Sequence, residues 1–249
     1  MAQPFEIDNQ IEVSATPEQV WDAITTGAGM DGWFMGTSEV ERREGGTVRT
    51  THPAFTMEST VTTWDPPHRF AHRSEQADPD GRLHAFEYTV EPRGTGSTIR
   101  WHHSGFLGGD WEAEYEAMSE GDPMYFHKLA EYIDHFLGRR ATVVDAFGPN
   151  VPDRDRVWPV IREGLGLPGP VSLGDRVRLT PADFPPIEGE VDYLSPSFLG
   201  VRTADALYRF IHGFEDTTMV GHHLFDADLD PKEAEAAWSS WLTELFTQP

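Results

Sequence analysis

Two stretches of this chain share one pattern: VWDAITTGAGM at residues 20–30 and VWPVIREGLGL at residues 157–167. Three further pairs of segments match in the same order: VRTTHPAF (48–55) with VRLTPADF (177–184), a Glu/Val/Pro pattern in 58–66 with one in 188–196, and STIRWHH (97–103) with TTMVGHH (217–223). Such a long period is not that of a solenoid, so the four collinear matches predict that a whole domain is duplicated. We place the copies at residues 1–138 and 142–249, joined at Gly138-Arg139-Arg140.

Each copy is predicted to contain a strand, a short helix, a meander of four to six strands and a long closing helix. Thr16, Pro17 and Gln19 are residue types that begin a helix, and Asp153 holds the same place in the second copy. Capping patterns at residues 122–123 and 230–233 predict the starts of the long helices. Turn signals, such as those at 78–81, separate the strands. An antiparallel sheet with one apolar face needs a cover, so we expect an α+β fold in which each long helix covers a sheet.

The composition excludes several classes of function. The chain has 249 residues with 19 basic and 42 acidic side chains, a net charge of -23, so nucleic acid and anionic membranes are poor partners. The absence of cysteine excludes disulfides, thiolate zinc sites and a cysteine nucleophile. The sequence contains neither a signal-peptide pattern nor an apolar run of bilayer length, so we expect a cytoplasmic protein.

The order of elements resembles the START-like (SRPBCC, helix-grip) superfamily. The first copy is similar to the branch named after the C-terminal domain of the activator of the heat-shock-protein-90 ATPase. The residues that carry this resemblance are SATPEQVWDAIT (14–25), Gly32-Trp33-Phe34, WDPP (64–67), Ser104-Gly105-Phe106 and Glu120-Gly121. The resemblance implies a curved sheet around a long C-terminal helix, with a cavity between them that often takes an apolar small molecule.

The resemblance directs attention to aromatic and apolar side chains of the first copy. In this fold the core and the cavity wall share one face, so each side chain could line a pocket, fill the core, or do both. We predict the following ligand-contacting residues: Trp33, Phe34, Phe86, Tyr88, Trp101, His103, Phe126, Leu129 and Ile133.

Paired histidines occur at matching places, His102-His103 and His222-His223, and the match aligns Trp101 with Gly221. Neighbours on a strand point to opposite faces, so only one side chain of each pair can face inward. We predict that these are His103 and His223. These histidines could form a polar rim, contact a ligand or act as an acid or base.

Because no chelating, G-x-S-x-G, Walker or G-x-G-x-x-G pattern is present, we predict no metal and no cofactor. We interpret one acidic cluster as a solvated face: Glu112, Glu114, Glu116, Glu120 and Asp122.

The second copy is shorter where the first carries Trp33 and Phe34. Residues 31–47 separate the matched segments in the first copy, but only residues 168–176 do so in the second. Pro168-Gly169-Pro170 favours a tight connection there. We therefore predict that the first domain holds the ligand, and that the second is mainly structural, with Trp238 and Trp241 filling its interior.

Three functions remain open at this point. The first is a binding protein that takes an apolar or aromatic small molecule for sequestration, carriage or metabolite resistance. The second is an aromatase/cyclase-like enzyme of polyketide-type metabolism, for which Tyr88, Arg100 and His103 are the candidates. The third, a chaperone partner, is implied only by the name of the branch.

Overall fold

The chain divides into two compact units, Met1–Arg140 and Ala141–Pro249, in a computed structural model that describes residues 2–74 and 81–247. Of the predicted turn at residues 78–81, only Gly81 lies within the described residues. Across the described part of the chain, no helix has the length and apolarity needed to span a bilayer.

The first unit is an antiparallel sheet with the strand order β1-β7-β6-β5-β4-β3-β2. The long helix α3 packs against β1 and β7. Its elements in the described residues are β1 (Gln3–Val13), α1 (Pro17–Thr25), α2 (Gly27–Met30), β2 (Thr37–Val40), β3 (Thr47–His52), β4 (Phe55–Asp65), β5 (Arg69–Arg73), β6 (Leu83–Arg93), β7 (Gly96–Leu107) and α3 (Trp111–His135).

The second unit is an antiparallel sheet with the order β8-β13-β12-β11-β10-β9, and α5 packs against β8 and β13. Its elements are β8 (Ala141–Asn150), α4 (Arg154–Gly164), β9 (Arg176–Leu179), β10 (Ile187–Leu194), β11 (Phe198–Arg202), β12 (Ala206–His212), β13 (Thr217–Phe225) and α5 (Pro231–Thr247). Both units follow the order strand, helix, meander, long helix. The predicted α+β class with two helix-grip domains is confirmed.

Local capping explains where the short helices begin. The Thr16 hydroxyl accepts from the Gln19 backbone N–H at 3.5 Å, and the Gln19 side chain accepts from the Thr16 N–H at 3.0 Å. This is the predicted capping box, and Pro17 occupies the first helical position. Asp153 is the N-cap of α4 as predicted, but its side chain makes no capping hydrogen bond.

The predicted start of α3 at Asp122-Pro123 is wrong, because the helix begins at Trp111 and runs through Pro123. Proline has no backbone N–H, so inside a helix it removes one hydrogen bond. An Asp-Pro pair is therefore more typical of the first turn of a helix, where that N–H would have no partner. Here the Asp122 carboxylate accepts instead from a strand histidine, and Met124 and Phe126 are buried immediately afterwards. These contacts outweigh the local preference of the proline.

The two units differ where the sequence shortens. In the first unit α1 is followed by α2 and β2, whereas in the described residues of the second unit α4 leads directly to β9. Trp33 and Phe34 lie just after α2. Gly32 permits this turn to sit against α3, since a Cβ there would lie 2.4 Å from the Tyr132 ring.

Candidate functional site

The inner face of the first sheet carries an unbroken aromatic surface. Strand alternation places His84, Phe86 and Tyr88 of β6 beside Trp101 and His103 of β7 on the same face. None of the nine predicted ligand-contacting residues is more than 7% exposed. They are therefore buried, as both the core and the cavity-wall interpretations require.

Ring contacts connect these side chains into what we call the aromatic wall, namely Phe86, Tyr88, Trp101 and His103. Tyr88 stacks on Trp101 at 5.8 Å between ring centroids, and Phe86 stacks on His103 at 4.2 Å. Trp33 closes one side of the wall, 6.1 Å from Trp101 and 6.4 Å from Tyr88.

The helix α3 supplies the facing side of the site. Phe126 lies 5.5 Å from Trp101, and Leu129 and Ile133 continue the buried stripe of α3. Trp33 is fixed by its own hydrogen bond, since its indole Nε1 donates to the Ala23 carbonyl at 3.2 Å. Trp33 is thus held beside the aromatic wall by a hydrogen bond as well as by packing.

The two neighbouring histidines of β7 have opposite environments. The His102 side chain is 39% exposed and bonds to Asp8 of β1 at 2.8 Å. The His103 side chain is 5% exposed and bonds through Nδ1 to the Asp122 carboxylate at 2.7 Å. The divergence follows the predicted alternation, whereas the polar-rim interpretation is wrong for His103.

His103 also bonds to a second histidine. Its Nε2 lies 3.0 Å from Nδ1 of His84, which is half-buried and stacked at 6.4 Å on Phe86. Asp122, His103 and His84 therefore form one continuous hydrogen-bonded series, which we call the histidine relay. It runs from the buried face of α3 toward the half-buried His84.

Burial keeps two of the histidines near the wall neutral. Desolvation lowers the pKa of His72 to about 3, and repulsion from His103 acts in the same direction. Desolvation lowers the pKa of His84 to about 4, with smaller contributions from His103 and Arg82. At neutral pH both rings are uncharged hydrogen-bonding groups.

Sequence reasoning missed His72, His84 and the role of Asp122. The signal was available, because His84 is in phase with Phe86 and Tyr88 on β6, and His72 is in phase with Phe70 on β5. His72 bonds through Nδ1 to the Ser59 hydroxyl at 2.7 Å. Its ring lies 5.1 Å from Phe86, so it borders the wall on the β5 side.

Two buried nitrogen atoms at the wall have no hydrogen-bond partner among the described residues. They are Nε1 of Trp101 and Nε2 of His72, in side chains that are 1% and 3% exposed. An indole N–H can only donate. A buried polar group without a partner costs about 1–3 kcal/mol, so both atoms are places where a bound molecule would gain a hydrogen bond.

Two other predicted groups lie elsewhere. Arg100 is on the outer face of β7, where it bonds to Gln10 and pairs with Glu91, so it does not border the wall. The interpretation of the acidic cluster as a solvated face is wrong for two members. Glu114 pairs with Arg82 at 2.9 Å in a side chain only 15% exposed, and Asp122 is buried against His103.

The second unit places different side chains at the matching position of its sheet. The predicted inward orientation of His223 and the alignment of Gly221 with Trp101 are both wrong. Val220 lies in the core of the second unit, so alternation along β13 turns His222 inward and His223 to the other face. His222 therefore faces the covering helix, 4.6 Å from Trp238.

The interior of the second unit is filled by rings. Trp238 stacks on Phe184 at 4.0 Å and contacts Trp241 at 5.3 Å, and both tryptophans are buried. An open cleft of about 410 Å³ lies beside α4 and is lined in part by residues 168–170, the predicted tight connection.

Comparison with known proteins finds one family that is similar to the first unit. Residues 4–120 match the family described as polyketide cyclase / dehydrase and lipid transport. No curated protein sequence matches the chain.

Several solved structures are similar to about half of the chain. Protein MLL2253 from Mesorhizobium loti is 21% identical, with a TM-score of 0.46 over 51% of this chain and 95% of its own. The Aha1 dimer from Colwellia psychrerythraea is 19% identical, with a TM-score of 0.44 over 52% and 96%. CalU16 from Micromonospora echinospora is 19% identical, with a TM-score of 0.40 over 53% and 76%. Over residues 4–120 the first domain is therefore similar to the polyketide cyclase / dehydrase and lipid transport family, and its strand, helix, meander and closing-helix order is that of a START-like domain.

Proposed function

We propose that the first domain binds an apolar or aromatic small molecule against the aromatic wall, for sequestration, carriage or metabolite resistance. The observation that carries this proposal is the pair of buried, unpartnered nitrogen atoms, Trp101 Nε1 and His72 Nε2, beside that wall among the described residues. A planar ring that stacks on the wall and carries an oxygen atom would bury apolar surface and supply an acceptor for the Trp101 N–H. The family description, which includes lipid transport, supports the same class of ligand.

The first experiment is mass spectrometry of small molecules released from the gently purified full chain, followed by titration with 2-methoxynaphthalene as a defined aromatic probe. We expect quenching of tryptophan fluorescence with one site per chain. Trp33→Ala should weaken binding, and Trp238→Ala should leave the affinity unchanged in protein that remains folded. If Trp33→Ala keeps its affinity and Trp238→Ala loses binding, the ligand lies in the second domain and the proposed assignment is wrong.

A second candidate, an aromatase/cyclase-like enzyme, is favoured by the histidine relay. In an aldol ring closure a base removes an α-proton from a poly-β-ketone, the carbanion attacks a second carbonyl, and the alkoxide is protonated before water leaves. A carboxylate-oriented histidine is suited to both proton transfers. The test is ring closure of a synthetic poly-β-ketone thioester, followed by absorbance, with His103→Gln compared with the outer-face variant His102→Gln. Equal rates in the two variants would remove this candidate.

A further inference from the structure

The hydrogen bonds of the histidine relay have a definite direction when Asp122 is ionised and the ring of His103 is neutral. An ionised carboxylate can only accept, so Nδ1 of His103 must carry the proton that bonds to Asp122. In a neutral imidazole the other nitrogen is then an acceptor. In this state Nε2 of His103 accepts from Nδ1–H of His84 across 3.0 Å.

The same reasoning gives the role of each ring nitrogen of His84, at the other end of the histidine relay. If Nδ1 of His84 donates to His103, then Nε2 of His84 carries a lone pair. Among the described residues, the hydrogen bonds of the His84 ring involve Nδ1 alone. The ring is half-buried, stacked on Phe86 and tilted 5.7 Å from Phe5, so its orientation is fixed by packing.

The surroundings favour a neutral ring that acts as an acceptor. His84 lies against aromatic side chains, and its pKa of about 4 keeps it uncharged at neutral pH. The buried Asp122 carboxylate lies at the far end of the relay, and hydrogen bonds in such a chain polarise one another. Nε2 of His84 is thereby a better acceptor than an isolated imidazole nitrogen.

We propose that Nε2 of His84 accepts a hydrogen bond from a phenolic or enolic hydroxyl, so that the ligand of the aromatic wall is a hydroxylated aromatic compound or its enol equivalent. This rests on the proposed function, because the hydroxyl is presented by a ring bound at the wall. A ligand of this class places its ring beside Phe86 and its hydroxyl at the open end of the relay. Its oxygen lone pairs remain available to other donors.

The test uses two probes, 2-naphthol and 2-methoxynaphthalene, in which a methyl group of the second replaces the hydroxyl hydrogen of the first, titrated into the full chain at neutral pH. We expect 2-naphthol to bind about tenfold more tightly, which corresponds to about 1.4 kcal/mol. His84→Phe keeps a ring at this position and removes the acceptor, so the preference for 2-naphthol should disappear; the ratio of the two affinities in each variant is the quantity compared. His102→Phe, on the outer face of the neighbouring strand, is the matched control and should retain the full preference.

The outcomes separate the two proposals. If neither probe binds the wild-type chain, the proposed function fails, and this inference fails with it. If both probes bind equally, or if His84→Phe keeps the preference, the proposed function stands and the role of His84 is overturned.

A measurement on the wild-type protein covers the case in which His84→Phe does not fold. Long-range ¹H–¹⁵N correlation spectra report which ring nitrogen of each histidine carries the proton. We expect the Nδ1–H tautomer for both His103 and His84, and a change in the ¹⁵N shift of His84 Nε2 when 2-naphthol is added. An Nε2–H tautomer for His84 would overturn the proposal.

Discussion

The inner faces of the two sheets carry a histidine at almost the same place in sequence, but the two histidines meet different partners. In the first domain His103 meets the carboxylate of Asp122, whereas in the second His222 meets the indole ring of Trp238. The difference lies in the phase of the two strands, because Trp101 and His103 face inward on β7, whereas Val220 and His222 do so on β13. Two strands that both carry a His-His pair can therefore turn different members inward, because one residue of phase decides which side chain faces the covering helix.

The largest effect is expected for Trp238 if the second domain is a packed core. Trp238→Ala removes contacts with Phe184, His222 and Trp241 and should cost about 3–5 kcal/mol of opening free energy in the second domain. Native-state hydrogen exchange of the full chain measures this separately for peptides of each domain. Leu173→Ala, at a side chain that is exposed, is the control and should change little. A loss below about 1 kcal/mol for Trp238→Ala would contradict the packed core.

Trp33 tests the role predicted for the first domain, which is ligand binding. It is fully buried and touches both Trp101 and Tyr88, so Trp33→Ala should weaken the binding of 2-methoxynaphthalene by roughly 1–3 kcal/mol. Isothermal titration gives the affinity directly. Phe55→Ala, which removes an exposed aromatic ring of the first domain, should leave the affinity unchanged. If both variants bind equally well, the wall beside Trp33 is core and not a binding surface.

The sequence predicted what depends on local pattern. The duplication, the capping box at Thr16 and the divergence of His102 and His103 all follow from residue type and period. The partner of His103 depends instead on α3 continuing through Pro123, which local preference argues against. The orientation of His222 depends on pairing between β8 and β13, which are distant in sequence. Tertiary contacts decide both, so neither is visible in a single segment.

His72 gives the first domain a dependence on pH. Its pKa is about 3 in the folded state, against an ordinary value of 6.5, because burial disfavours the charged imidazole. Above the ordinary value both states are neutral and the shift has no effect. As the pH falls below it, only the unfolded chain takes up the proton, so stability is lost progressively until the pH reaches the folded value.

The corresponding variant is His72→Phe, which keeps a ring beside Phe86 and cannot be protonated. Between about pH 7.5 and about pH 5, the wild-type first domain should lose roughly 2 kcal/mol more stability than the variant. Urea denaturation at the two pH values measures the difference. The comparison uses only the change with pH, so the loss of the Ser59 hydrogen bond in the variant cancels. Parallel pH profiles would mean that His72 is not held neutral by burial.

The smallest predicted effect compares the two helix starts. Thr16 caps α1 through its hydroxyl, so Thr16→Ala should destabilise that helix by about 1 kcal/mol. Asp153 occupies the same place in α4 without a side-chain hydrogen bond, so Asp153→Ala removes only the attraction between the carboxylate and the helix dipole, roughly 0.3–1 kcal/mol at low salt.

Salt separates these two contributions. High salt screens the attraction between a charge and a dipole but leaves a neutral hydroxyl hydrogen bond intact. The effect of Asp153→Ala should therefore vanish in high salt, and that of Thr16→Ala should persist. Hydrogen-exchange opening free energies of the α1 and α4 amides, measured at low and high salt, provide the comparison. A salt-independent loss in Asp153→Ala would mean that its side chain makes a capping hydrogen bond after all, and that the two copies begin their helices in the same way.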